Sequence, residues 1–389
     1  MQLVLFQEPQ TTLGTDKERI GLFAEFPYRL SPFSRRNWGH PWHSLCSYQS
    51  KLKPAIAHYL VKIFTAEGDV VLDPFAGVGT IPFEACLQGR VGVGIDINPV
   101  AYHSTAVKVK PPDAESISQV LHSLARFLSS YDLSESDRAC TLLKNINGRL
   151  EDYFEPRTFR EILKARKFFL EKHELAAADS FVLACLLHIL HGNRPYALSR
   201  RSHGLTPFSP TGEFVYKPLL RHVEAKVSRM LSPSLPTDFE RGEAFLTSVF
   251  RYRPDQQADV ILTSPPFINS TRFYLSNWIR LWFCGWQDQD FSAPVRNDFL
   301  EEMQAKDISV YRRIFGKFFE FLRPNGLCVL HLGVTRGRDM GLEIAPFAEE
   351  VGFKRLALLY EDVTRCESHG LTDQGRTIRH AFLFLRRNP

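Results

Sequence analysis

No Cys-x-x-Cys pair occurs in this 389-residue chain, and its seven cysteines (Cys46, Cys86, Cys140, Cys185, Cys284, Cys328, Cys366) are scattered and odd in number. That spacing argues against a disulfide framework and a thiolate zinc site, and the expectation is a reducing, cytoplasmic setting. The amino-terminal residues lack the basic flank and long apolar run of a secretory leader. No uncharged apolar run reaches the length of a membrane span, so no membrane partner is expected. Internal repeats and low-complexity tracts are lacking too. Excess charge of one sign is small: the net charge is +5. The total therefore permits a nucleic-acid partner, but only local clustering of cations would argue for one.

What is present is ordinary globular material, 44% hydrophobic and 23% charged, in a chain longer than one average domain. Residues 259–263 read as a buried strand of aliphatic and β-branched side chains. It stops at Thr263-Ser264-Pro265-Pro266-Phe267. Neither proline has an N–H to donate and each fixes its own φ, so the ladder must end there. The Ser264 hydroxyl and the neighbouring carbonyls are left without sheet partners at a strand's carboxyl end. In an open α/β sheet that edge is where ligands bind.

A second stretch has matching punctuation. Residues 70–73 form a short apolar strand, followed by the turn Asp73-Pro74-Phe75-Ala76-Gly77-Val78-Gly79-Thr80, a helix over 81–88, and a strand over 91–95 that ends at Asp96. Strand, glycine turn, helix, strand and acid within about thirty residues is the βαβ arrangement that holds an adenosine-bearing cofactor. Gly77 and Gly79 let the backbone approach a ligand. Asp96, at a strand tip, can accept hydrogen bonds from ribose hydroxyls, and Asp73 can steady the loop or a ligand ammonium.

The two strings together resemble the S-adenosylmethionine-dependent DNA amino-methyltransferases. Asp73-Pro74-Phe75-Ala76-Gly77-Val78-Gly79-Thr80 is similar to that family's cofactor motif, and Ser264-Pro265-Pro266-Phe267 to its catalytic motif. The serine with a preceding threonine is closest to the cytosine-N4 branch. The resemblance covers about residues 41–109 and 238–386. It implies a Rossmann-like class I methyltransferase α/β sheet with helices on both faces. It also implies that S-adenosyl-L-methionine meets Asp73, Pro74, Phe75, Ala76, Gly77, Gly79, Thr80, Asp96 and Ile97. The segment carrying Tyr48 and Lys51 resembles a motif that folds back beside the cofactor. Glu243 stands where the family places an acid on the adenine amine. Ser264, Pro265, Pro266 and Phe267 are then catalytic, with the Ser264 hydroxyl and Pro265 carbonyl accepting the amine hydrogens and Phe267 stacking on the base. The implied substrate is double-stranded DNA with the base flipped out, with a cognate restriction endonuclease as a further partner. No metal is expected. The other readings are adenine-N6 methylation, an RNA amino-methyltransferase and a non-catalytic DNA-binding subunit.

The remaining chain sorts around this frame. Residues 1–40 read as an arm packed on the core rather than a domain. The catalytic domain takes 41–109 and 238–389, and 110–237 is a mainly helical insertion with helices near 116–128, 159–169 and 176–190. From Arg194 to Arg229 the insertion carries seven basic side chains against Glu213 and Glu224, interleaved with Tyr196, Phe208, Phe214 and Tyr216. Such a mixture can neutralise phosphates and stack bases, and Arg200 and Arg201 are its candidate DNA contacts. A short helix is expected between residue 245 and the strand at 259. Helices follow near 278–283, 310–322 and 342–351, and strands near 326–332, 353–360 and 377–385. His188, His191, His203 and His331 are assigned no chemistry.

Overall fold

A computed structural model of the protein describes residues 14–27, 30–35, 38–141, 143, 144, 146, 148–204, 206–268, 272–292, 298–362 and 377–389. Residues 1–13 and Arg36 of the expected arm, and Cys366, lie outside these. Seven strands form one sheet: β1 (Val70–Asp73), β2 (Val91–Asp96), β3 (Glu243–Leu246), β4 (Ala258–Thr263), β5 (Leu322–Thr335), β6 (Phe353–Asp362) and β7 (Thr377–Arg387). Their spatial order is β3-β2-β1-β4-β5-β7-β6. Neighbours from β3 to β5 pair in parallel, whereas β7 runs antiparallel to both β5 and β6. This is the Rossmann-like class I methyltransferase fold, as expected. The order reverses at β1 and β4, which places the topological switch point between the two punctuated strands.

Both faces of the sheet are covered because the strands alternate apolar residues to either side. Val71, Val260, Leu262, Leu327, Val329, Phe382 and Phe384 pack beneath the helices Asp16–Glu25 and Pro54–Phe64. The intervening Leu72, Ile261, Cys328, Leu330, Leu383 and Leu385 pack beneath Val310–Phe321 and Met340–Glu350. The helix starts follow local chemistry. Pro54 and Pro99 open their helices, where a missing N–H costs nothing. The Asn98 side chain caps the second by accepting from the Val100 N–H at 2.9 Å.

The described part of the arm is packed on the core, as the sequence suggested. Phe23, fully buried in the Asp16–Glu25 helix, meets Phe382 edge-on at 5.0 Å and Phe64 at 5.9 Å. Arg386 of β7 pairs with Asp16 at the helix start.

The insertion forms its expected helices at Ala114–Ser130, Pro156–Leu170 and Ala177–Ile189, with a further one at Leu219–Leu231. Its core is not its own. Phe159, Phe169, Phe181 and Leu186 share one cluster with Trp278, Trp282 and Phe283, which lie beyond β4. The insertion is thus continuous with the segment beyond β4 rather than a separable body. One expected element does not form: residues 247–252 make a turn, closed by Arg251 N–H to the Ser248 carbonyl at 2.9 Å, instead of a helix. The stretch is too short to form a helix before Pro254. Among the described residues, no helix is long and apolar enough to cross a membrane.

If the arm is part of the core, Phe23→Ala should cost about 3–5 kcal/mol of unfolding free energy in denaturant titration. A loss under about 1 kcal/mol, the surface range, would show it to be peripheral.

Candidate active site

The carboxyl ends of β1, β2 and β4 open into one cleft of about 2130 Å³. Its floor is made by the two punctuated strings. Asp73, Pro74, Phe75, Ala76, Gly77, Thr80, Asp96 and Ile97 line it, with Tyr48 and Lys51 from the upstream segment and Ser264, Pro265, Pro266 and Phe267 opposite.

A buried hydrogen bond joins the strings. The Thr263 hydroxyl donates to Asp73 Oδ1 at 2.6 Å, and the same oxygen accepts the Phe75 N–H at 3.1 Å. Burial raises the Asp73 carboxyl to about 7, against the pull of those two donors. Asp96 is likewise raised to about 6 by burial, partly offset by backbone donors. Its Oδ2 accepts from Gly77 N–H at 2.9 Å and its Oδ1 from Asn98 N–H at 2.8 Å. The carboxylate expected to bind ribose therefore also ties the glycine turn to the tip of β2.

The two glycines divide their work. Gly77 lies at φ +52°, and a Cβ there would stand 3.8 Å from the Tyr48 ring, on the cleft side. Gly79, at φ +70°, instead faces Thr105, whose Oγ1 would lie 2.7 Å from a Cβ. Its role is helix packing, not ligand approach, which corrects the sequence expectation. Tyr48 stacks parallel to Phe273 at 5.8 Å, and its hydroxyl accepts from Asn98 Nδ2 at 3.1 Å. Lys51 donates to the His43 carbonyl at 2.7 Å.

Glu243 does not reach the cleft. It opens β3, exposed, beside Val93, whereas Asp96 at the cleft edge pairs with Leu246. Parallel pairing leaves Glu243 three residues short of the edge, and Thr247, Ser248, Val249 and Phe250 line the cleft there.

The Pro-Pro corner is held from behind. Gln304, almost fully buried, donates to the Pro266 carbonyl at 3.0 Å and the Phe267 carbonyl at 3.2 Å, and accepts from the Tyr311 hydroxyl. Phe267 lies across β5 at Gly333, where a Cβ would come within 2.5 Å of its ring. Ser264 Oγ is 3.0 Å from His331 Nδ1 and 3.4 Å from the His331 carbonyl. Burial pushes His331 well below the usual histidine range, so it is a neutral imidazole. Sequence reasoning gave His331 no role. The signal that could have found it is the apolar row Leu327, Val329 breaking to histidine at the next same-face position.

On the insertion side the cleft is lined by Arg194, Tyr196, His203, Phe208 and Arg229. Arg200 is not among them. Its guanidinium donates to the carbonyls of Gly212 at 2.8 Å and Asp152 at 2.9 Å and lies over Phe214, so it braces the loop. Arg201 is exposed outside the cleft, paired through its backbone with Gly192 and Thr211.

Residues 33–108 match the family model of DNA methylases. The match covers the upstream segment, the glycine turn and Asp96, and stops before the Pro-Pro corner. A type II methyltransferase, M.MjaII of Methanocaldococcus jannaschii, is 26% identical over 105 residues, which are 27% of this chain and 20% of the relative. The chain thus spans about a fifth of the curated relative it matches. Among solved structures, a SAM-dependent methyltransferase from Methanosarcina mazei is 10% identical over 84% of this chain and 95% of its own, with a TM-score of 0.34. A TehB-like SAM-dependent methyltransferase from Corynebacterium glutamicum is also 10% identical, over 84% and 85%, with a TM-score of 0.31. Likeness this distant identifies neither substrate nor chemistry.

The raised Asp73 pKa has a testable sign. Between the ordinary aspartate range and about 7, the folded, donor-free protein keeps a proton that the unfolded chain has released. Raising pH through that window therefore removes stability, by up to about 1.4 kcal/mol per unit. Asp73→Asn keeps an acceptor for Thr263 and does not titrate. Its stability relative to wild type should rise from about pH 4 to about pH 7, as read by chemical denaturation at each pH; a constant difference would show Asp73 ionised throughout.

Proposed function

We propose that this chain is an S-adenosylmethionine-dependent DNA amino-methyltransferase acting on the exocyclic N4 amine of cytosine. The observation that carries the reading is the Thr263–Asp73 hydrogen bond, which sets the two motifs at adjacent strand ends over a single cleft. The family match over 33–108 supports the DNA methylase part of it. The serine at 264 favours cytosine over adenine.

The cleft fits the donor. The φ of Gly77 keeps the turn open beneath Tyr48, and Asp96 retains carboxylate lone pairs for ribose hydroxyls beyond those spent on Gly77 and Asn98. When bound, S-adenosylmethionine supplies an electrophilic methyl group on a sulfonium. The chain's own residues do the rest. An exocyclic amine is a weak nucleophile because its lone pair is delocalised into the ring. Ser264 Oγ and the Pro265 carbonyl accept its two hydrogens, which gathers electron density on nitrogen as the bond to carbon forms. His331 fixes Ser264: whether Nδ1 donates or accepts, an Oγ lone pair remains for the amine. Gln304 keeps the corner carbonyls in place, so the amine is held in line. As the nitrogen–methyl bond formed, the sulfur–methyl bond would break and leave a neutral thioether; the surplus amine proton then passes to water, and a carboxylate base is not required.

In a duplex this nitrogen is paired, so the base is extruded into the cleft. At about 2130 Å³ the cleft exceeds the roughly 300–1,000 Å³ of a small-ligand pocket and has room for donor and nucleotide together. Arg194 and Arg229 at its insertion side are the proposed phosphate contacts, replacing Arg200, with exposed Tyr196 and Phe208 as stacking surfaces. The proposed setting is a restriction-modification or phage-defence system with a cognate endonuclease.

Ser264→Ala should lower the methyl-transfer rate by about 10²-fold while leaving donor affinity unchanged. In a methylation-free host, single-molecule sequencing should find 4-methylcytosine at one motif with wild type and a much smaller marked fraction with this variant. Marks on adenine would move the target base; no DNA mark from a folded, donor-binding protein would overturn the DNA reading. Arg194→Ala and Arg229→Ala should each reduce the slope of log affinity for DNA against log salt by about 0.9, if each neutralises one phosphate. An unchanged slope in both would place the DNA elsewhere.

A further inference from the structure

The same-face apolar rows of three neighbouring strands all break at the level of the cleft, and each breaks to a metal-ligating residue. On β5, Leu327 and Val329 give way to His331; on β7, Phe384 and Phe382 give way to His380; on β6, Ala357 and Leu359 give way to Glu361. Register makes this a cluster rather than a coincidence of spacing. Glu361 pairs directly with His380, and His331 pairs with Phe382, two residues along the same face. One ligand atom from each residue lies within 4.8 Å of the others, and His380 Nδ1 is 3.8 Å from Glu361 Oε2. His331 is 5% exposed and Glu361 1%. All three line the cleft.

His331 also has a nitrogen to offer. His331 Nδ1 is taken by Ser264, and its other nitrogen, Nε2, is buried with no hydrogen-bond partner among the described residues. His43 Nδ1 and both His191 nitrogens share this state, but of these residues only His331 belongs to a three-residue ligand cluster, where an ion would satisfy the nitrogen.

We propose that His331 Nε2, His380 and Glu361 form a binding site for one divalent transition-metal ion, with zinc the best match to two imidazoles and a carboxylate. Tetrahedral zinc with bonds of about 2.0–2.1 Å sets its donors about 3.4 Å apart. The His380–Glu361 distance is already close to that, and side-chain rotations that draw the cluster in from its 4.8 Å spread bring in the third ligand. Because all three residues line the cleft, a fourth ligand would come from that side. Ser264 then acts as the outer partner that such a histidine requires: Nδ1–H donates to Ser264 Oγ, whose own proton goes to the His331 carbonyl. Phe267 packs against both imidazoles, at 5.5 and 5.7 Å, and shields the site on one side. The ion joins three strand ends beside the Pro-Pro corner and fixes the tautomer of the imidazole that holds Ser264. The inference rests on side-chain geometry alone and stands whether or not the chain transfers methyl groups.

The test is cobalt(II) titration of the full chain, stripped of metal by a chelator, followed by visible absorption, with zinc competition and thermal unfolding in parallel. Wild type should bind about one cobalt per chain with the intense bands of a low-coordinate site, release it to zinc, and unfold at a higher temperature with zinc present. Glu361→Gln, which is isosteric, and His380→Ala, at a partly exposed position, should lose at least tenfold in affinity and lose the zinc-dependent rise in unfolding temperature. Retained circular dichroism in both variants checks the fold. No cobalt or zinc binding by wild type would overturn the proposal. Binding that survives in both variants would equally overturn it, because the ion would then sit elsewhere.

Discussion

The hydrogen bond from Thr263 to Asp73 is the constraint on which the rest of the site depends. It is short, fully buried, and made between the last residues of two strands 190 positions apart in the chain. A buried carboxyl left without its donors costs free energy, about 1–3 kcal/mol or more, so neither partner can drift without the other. The bond therefore fixes how far β1 and β4 project into the cleft. Through Phe75 it also fixes the first turn of the glycine loop. Where one motif goes, the other follows.

Around that tie, the sheet edge is built by interruption. Each strand carries an apolar row towards the covering helices, and each row breaks to a polar residue where those helices end: Val71 to Asp73, Leu262 to Ser264, Val329 to His331. One pleat earlier these groups would be sealed under Phe64 and Phe23; at this level Ser264 reaches the cleft, while Asp73 and His331 stay buried and hold their places through Thr263 and Ser264. The Pro-Pro corner adds rigidity. Two fixed φ angles, the buried Gln304 amide on the following carbonyls and Phe267 seated on Gly333 leave the Ser264 position little freedom. Preorganisation of this kind is what the proposed reaction, limited by a weak nucleophile, needs.

The insertion deepens the edge into a cleft. Its helices are amphipathic or mostly apolar, and their inner faces are buried in a cluster that extends beyond the insertion. The aromatic helix Trp278–Phe283 supplies that extension, with Trp282 and Phe283 fully buried in the shared cluster. That shared core holds the 194–229 segment against the sheet edge, so Arg194 and Arg229 face the same space as Ser264. Arg280, also buried, donates to Leu187 and to Ser47, tying the aromatic helix both to the insertion and to the segment that carries Tyr48.

The sequence by itself determined the strands, most of the helices, the glycine turn, the Pro-Pro corner and the sheet edge on which both act. These are set by backbone chemistry within a few residues: a missing N–H, a positive φ, an alternation of period two. It could not determine what meets across the sheet. Glu243 has the right neighbours in the chain but the wrong register in space, and Gly79 has the right spacing but faces Thr105. Arg200 sits in a basic stretch yet spends its donors on loop carbonyls. His331 carries no motif and is assigned no chemistry from sequence, although it touches the serine singled out first. Which residues become neighbours depends on strand order and pairing between segments tens to hundreds of residues apart, and on which side chains the packed core leaves facing open space. Those are properties of the closed tertiary structure, and only it decided them.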